Sequence, residues 1–227
     1  MDGGFKVKSM LITAENGSKI HNNLKTMTRR CHGLEAVNIY PDNWVINSKL
    51  RREDGSFALY AVSGFETTYV DPRYQVGDLV AIREPHYVWG FWFYAWIDSK
   101  NRMGWQFKPD LDKFVFFPDN LPPNAKVLTG RQAEFGWYLR PGMFMFAQHV
   151  RSHVRITEVI CQRLQDITPE DCIAEGVKTF EGDIWWAKPK GQFELLWDSI
   201  NGKHKKDKLD LSWAANPWDF GYRFKRI

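Results

Sequence analysis

Val154, Ile156, Val159 and Cys161 stand against Arg155, Thr157, Glu158 and Gln162, an alternation that predicts a long half-buried strand over 151–164. Asp166-Ile167-Thr168-Pro169-Glu170-Asp171 follows as a helix start, with Thr168 at the cap, Pro169 at the first position and Asp171 three after the cap. That helix should run to about Glu175 and stop at Gly176. Phe193, Leu196, Trp197 and Ile200 fall on one face of a second helix over about 192–200, and a last strand covers 218–225. Near the start, 5–13 reads as a strand, and Asn16-Gly17-Ser18 as a turn and cap before a short helix through about Leu24. Segments 34–46 and 57–62 have strand character on either side of the Arg51-Arg52-Glu53-Asp54-Gly55 turn, which predicts a hairpin. Gly77-Asp78 opens an apolar strand that carries Arg83 and Glu84 to one rim of a sheet.

Between about 85 and 140 the pattern loses its period. This stretch holds Trp89, Trp92, Trp96, Trp105 and Trp137 and the turn-rich Pro118-Asp119-Asn120-Leu121-Pro122-Pro123-Asn124, and reads as an inserted lobe or lid with one hairpin of its own. No internal repeat is visible. Strands outnumber short helices, so the expected class is α+β: one domain over 1–227, a small mixed barrel with helices plugging its ends rather than a parallel sheet.

Composition adds bounds. With 44% hydrophobic residues the 227-residue chain has ample material for a core, and 11 Trp is a surplus that can fill a β-rich core or supply faces for bases. A net charge of +4 permits nucleic-acid binding without demanding it. The basic run Lys203-His204-Lys205-Lys206-Asp207-Lys208 reads as a loop that adds salt-dependent attraction to phosphates. Cys31, Cys161 and Cys172 have neither disulfide nor zinc spacing, and His149 and His153 have no third ligand beside them. No metal, no cofactor and no membrane segment are expected, and the reducing cytoplasm is the expected compartment.

The densest candidate chemistry is Lys25-Thr26-Met27-Thr28-Arg29-Arg30. Lys25 and Thr28 can act as base and nucleophile if the lysine is desolvated enough to lose its proton near neutrality. Arg29 and Arg30, with planar guanidiniums, can hold an anion such as phosphate. The same six residues also fit the solvated end of a helix.

Together with Gly77-Asp78-Leu79-Val80-Ala81-Ile82-Arg83-Glu84, Arg163-Leu164-Gln165-Asp166-Ile167 through Ala174-Glu175-Gly176-Val177, and Phe193-Glu194-Leu195-Leu196-Trp197-Asp198-Ser199-Ile200-Asn201, this segment resembles the ASCH domain of the PUA-like superfamily. The likeness is to the longer ASCH proteins of bacteriophages and prophages, and the closing Asn216-Pro217-Trp218 and Phe224-Lys225-Arg226-Ile227 share it. The resemblance implies a mostly antiparallel β-barrel of about six strands, with a cleft for RNA or a modified nucleoside and, for a phage-encoded chain, residence in the host cytoplasm. Some small bacterial ASCH proteins are amidohydrolases that deacylate 4-N-acetylcytidine with Lys, Thr and Glu, roles that fall here on Lys25, Thr28 and Glu175. Thr28 would attack the amide carbonyl, Lys25 would take its proton, and Glu175 would orient the lysine or protonate the departing amine. A spacing of three needs a non-strand conformation from Lys25 to Thr28. Arg29, Arg30 and Arg83, with Glu84 beside them, would face the ligand. Two departures bear on the substrate: Met143-Phe144-Met145-Phe146 stands where the phage relatives carry a Met-His-Met-Pro-like segment, and Leu24 stands where a small or basic residue is usual. A non-catalytic RNA-binding module, a phage accessory protein acting through protein contacts and, with less support, a ribonuclease are the other readings.

Overall fold

The computed structural model of the chain describes residues 7–180, 184–202 and 209–227. The basic run at 203–208 lies outside the described residues. The fold is α+β and mostly antiparallel. Its strands are β1 (Lys8–Leu11), β2 (Met27–Arg30), β3 (Trp44–Arg51), β4 (Phe57–Ala61), β5 (Thr67–Val70), β6 (Leu79–Arg83), β7 (His86–Ile97), β8 (Arg102–Pro109), β9 (Gly136–Arg140), β10 (His153–Arg163) and β11 (Trp218–Arg226). The α-helices are α1 (Ala14–His21), α2 (Pro169–Ala174) and α3 (Pro189–Asn201). The strands form three sheets, ordered β1-β6-β10-β11-β2, β3-β4-β5 and β8-β7-β9. Two compact units divide the chain: one of 1–8, 22–80 and 154–227, the other of 9–21 and 81–153.

In the first unit the register of β2, β11 and β10 sorts side chains onto two faces. Thr28 pairs with Tyr222 and Arg30 with Phe220, while Val159 and Cys161 oppose the same two aromatics from β10. Paired residues share a face and neighbours alternate, so these side chains form one layer, apolar but for Arg30 and the Thr28 hydroxyl, which Phe57 and Tyr74 join through rings 5.9 Å from Phe220 and 5.1 Å from Tyr222. The opposite face carries Arg29, Asp219, Gln162, Glu158 and Arg223. A second core of Leu164, Ile167, Cys172, Phe193 and Trp197 joins α2 to α3.

β4, the strand after Gly77, and β10, α2 and β11 all lie close to where the pattern puts them. Three stretches differ. Two 3-10 turns, Val37–Ile39 and Pro41–Asn43, interrupt the expected strand at 34–46, and β3 begins only at Trp44 and runs on to Arg51. Asn38 is drawn away to clamp β11: its Nδ2 donates to Trp218 O at 2.9 Å, and the Trp218 N–H donates to Asn38 Oδ1 at 2.7 Å. The helix α3 begins at Pro189, and Ile200 on its expected apolar face is exposed.

The third difference is in the second unit. Asn16-Gly17-Ser18 is not a turn but the middle of α1, which ends at His21. Thr13 starts the helix, its Oγ1 accepting the Asn16 N–H at 3.3 Å and its carbonyl the Gly17 N–H at 2.9 Å. Gly17 belongs there because a Cβ would lie 2.1 Å from Glu84 Oε2 and 2.9 Å from Glu84 Cβ. Glu84 cannot swing aside, since its carboxylate accepts from Arg151 Nε and Nη2 at 2.9 Å each. In an open helix Gly→Ala stabilises by about 1 kcal/mol. Gly17→Ala should instead destabilise by about 1–3 kcal/mol, and a thermal unfolding midpoint at or above that of the native chain would refute the packing argument.

The aromatic stretch at 85–140 is ordered: β7 pairs with β8 from Gly90–Pro109 to Ile97–Arg102, and with β9 from His86–Arg140 to Gly90–Gly136. Large rings on both faces of β7 hide the alternation that marks a half-buried strand.

Candidate functional site

The first unit concentrates buried charge where α2 lies against β2 and β11. Thr168 caps α2, accepting the Asp171 N–H at 3.1 Å, and Gly176, at φ +84°, ends it. This short helix holds Asp171 and Glu175 one turn apart, with the Glu175 N–H donating to Asp171 O at 2.9 Å. The segment before β2 is held from two sides: the Thr26 N–H donates to Ala174 O at 2.8 Å, and the Phe224 N–H donates to Thr26 O at 2.9 Å. Lys25 is thereby carried to the end of α2, where its Nζ donates to Glu175 O at 2.6 Å and forms an ion pair with Glu175 Oε2. Lys25 is 2% exposed and Glu175 4%. Glu175 Oε1 is buried and has no partner among the described residues.

Beside this pair lies a denser network. Arg29 Nη1 donates to Asp219 Oδ1 at 2.8 Å and to Oδ2 at 3.1 Å, and its Nη2 donates to Asp171 Oδ2 at 3.2 Å. With its amide oxygen turned toward the guanidinium, Gln162 accepts from both Nη atoms at 3.0 and 3.1 Å. Arg223 bonds to Asp171 Oδ1 through Nη2 and, through Nε, pairs with Glu158 at 3.0 Å. Burial pushes the Asp219 carboxyl up to about 7, against the pull of Arg29, with Glu175 adding to the rise.

Lys25 and Glu175, 150 positions apart, are therefore in contact. Thr28 is not in the non-strand conformation its expected role needs: it lies in β2, opposite Tyr222, on the face away from Arg29. Arg29 is committed to Asp219 and Asp171. Arg30 is on the Thr28 face, and its charge acts on the Tyr74 and Tyr222 hydroxyls. Arg83 and Glu84 belong to the second unit. There Glu84 is fully buried and held by Arg151, which also binds Asp119 through two bonds of 2.9 Å. The Arg83 Nε is buried without a partner among the described residues.

Sequence reading missed Asp171, Gln162, Asp219 and Arg223. A signal existed for two of them: Asp219 and Arg223 are charges on one side of an otherwise aromatic strand, a position that calls for buried partners. Among the described residues no three His, Cys, Asp or Glu side chains gather as a metal site, and no helix is long and apolar enough to cross a membrane. Cys161 and Cys172 are buried free thiols, and burial pushes the Cys172 thiol up to about 12.

No family model, no curated protein and no solved structure matches the chain.

Proposed function

We propose that the chain is an RNA- or modified-nucleoside-binding protein of the ASCH kind, resident in the cytoplasm, whose Lys25–Glu175 pair meets the ligand. The barrel of about six strands implied by the sequence resemblance belongs to the same proposal. One observation carries it: Glu175 Oε1 is buried with no donor among the described residues. An unsatisfied buried acceptor costs about 1–3 kcal/mol, and a ligand N–H removes that cost. The exocyclic amide N–H of an N-acylated cytidine is such a donor.

Hydrolysis of that amide is the reaction the pair suits. Proton transfer within the pair gives a neutral Lys25 amine and a protonated Glu175. Water adds to the acyl carbon as Lys25 takes its proton, and the C–N bond breaks as Glu175 protonates the departing nitrogen, releasing the acid and the amine and restoring the ion pair. Thr28, in β2 on the Tyr222 face, takes no part in this route, so Thr28→Ala should keep acetate release.

The test is acetate release from 4-N-acetylcytidine. Lys25→Ala and Glu175→Gln should each lose about a hundredfold or more, with circular dichroism confirming that both fold. Binding of RNA at low salt without acetate release, lost in Lys25→Ala, would leave the non-catalytic module. Absence of both overturns the proposal.

A further inference from the structure

Beyond Gly90, β9 no longer pairs with β7; the Trp92 N–H still donates to Gln132 O at 3.0 Å, and 93–97 pairs with β8 alone as a two-stranded ribbon within the second unit. Cross-strand pairing puts Trp92 with Phe107, Tyr94 with Trp105 and Trp96 with Met103 on one face. Tyr94 and Trp105 meet edge-on with ring centres 5.5 Å apart, and Trp92 and Phe107 at 5.3 Å. The outer part of this face is open to solvent: Tyr94 is 56% exposed, Trp96 51% and Trp105 38%.

The base of the same face carries cations. The Arg140 guanidinium lies 4.7 Å from the Trp92 ring centre, 4.5 Å from Phe107 and 4.7 Å from Phe144, and Arg131 lies 5.6 Å from Trp92. Among the described residues no carboxylate pairs with either arginine. Desolvation lowers the pKa of Arg140, so its charge is held at some cost without a counter-ion. The Trp92 indole N–H is also buried without an acceptor among the described residues.

We propose that this ribbon face is a stacking platform for single-stranded nucleic acid, with bases on Tyr94, Trp96 and Trp105 and phosphate oxygens at Arg131 and Arg140. Flat apolar faces and unpaired guanidiniums together match a ligand made of rings on a polyanion. An apolar protein partner or a second copy would satisfy the rings and leave the two cations without an anion. Neighbouring ring positions along a strand are about 6.8 Å apart, twice the roughly 3.4 Å rise of a stacked nucleic-acid strand. The platform lies outside the unit that contains Lys25 and Glu175 and does not depend on the activity proposed there.

Fluorescence anisotropy on the full chain tests this with labelled oligouridylate, oligothymidylate and a duplex, each about 15 nucleotides long. Both single strands should bind more tightly than the duplex. Tyr94→Ala and Trp96→Ala should each weaken that binding about five- to a hundredfold, while acetate release stays as in the native chain. Arg131→Glu should weaken binding and lower the salt slope by about one. A preference for the uridylate would assign the platform to RNA, and equal affinity to single strands of either sugar. Native affinity in all three variants overturns the proposal, as does a failure of the native chain to bind either strand. So does sedimentation showing that Trp96→Ala dissociates a dimer while leaving oligonucleotide affinity untouched.

Discussion

Arg29→Ala should destabilise the protein by about 3–5 kcal/mol, the largest loss expected from a single substitution in the first unit. Two guanidiniums, Arg29 and Arg223, face the carboxylates of Asp219, Asp171 and Glu158 on this side of the sheet. Asp219 is completely buried, and Arg29 is the only cation bonded to it among the described residues. Without Arg29 the Asp219 carboxylate has neither water nor a counter-charge, and Gln162 loses two donors. The rise of the Asp219 carboxyl to about 7, caused first by burial, shows which group bears the desolvation cost. Asp219→Asn should therefore be milder, about 1–3 kcal/mol, because it removes the costly charge and still offers Arg29 one acceptor. Urea denaturation of the two variants decides. An Arg29→Ala loss under about 1 kcal/mol, or a larger loss for Asp219→Asn, would show that the network is not what holds α2 to the sheet.

The legible parts of the chain are those where local chemistry and tertiary demand agree. Thr168-Pro169 and Gly176 set α2 by capping and backbone conformation alone, and so α2 is where the pattern puts it. At Gly17 the two disagree: glycine after asparagine signals a turn, yet the helix continues because Glu84 needs the space a Cβ would fill. Asn38 likewise gives up a local strand for two bonds to Trp218, 180 positions away. In β7 the obstacle was periodicity, since apolar rings on both faces erase the alternation. For the candidate site, the Lys25 and Glu175 positions came from a motif resemblance, and their contact rests on α2 ending at Gly176. The side to which Thr28 points depends on the β2–β11 register, which no local pattern encodes.

His86 should make the second unit acid-labile. Its Nδ1 lies 3.2 Å from Glu84 O, so Nδ1–H donates there and Nε2, buried with no partner among the described residues, stays unprotonated. Burial pushes its pKa down to about 4, with His149 and Arg140 adding to the fall against the Glu84 hydrogen bond. The His149 ring centre is 6.4 Å away, and burial lowers its pKa also. Below the ordinary pKa of about 6.5 the unfolded chain binds a proton that folded His86 refuses. This contribution to stability is therefore complete above about pH 6.5 and is lost as the pH falls toward 4. One proton corresponds to about 1.4 kcal/mol per pH unit, so the loss approaches about 3 kcal/mol near pH 4. His86→Asn keeps an N–H for Glu84 O and does not titrate. The difference in unfolding free energy between the native chain and this variant should change by about 2–3 kcal/mol between pH 7 and pH 4.5. Parallel pH profiles for the two proteins would show that His86 titrates normally and that acid sensitivity has another source.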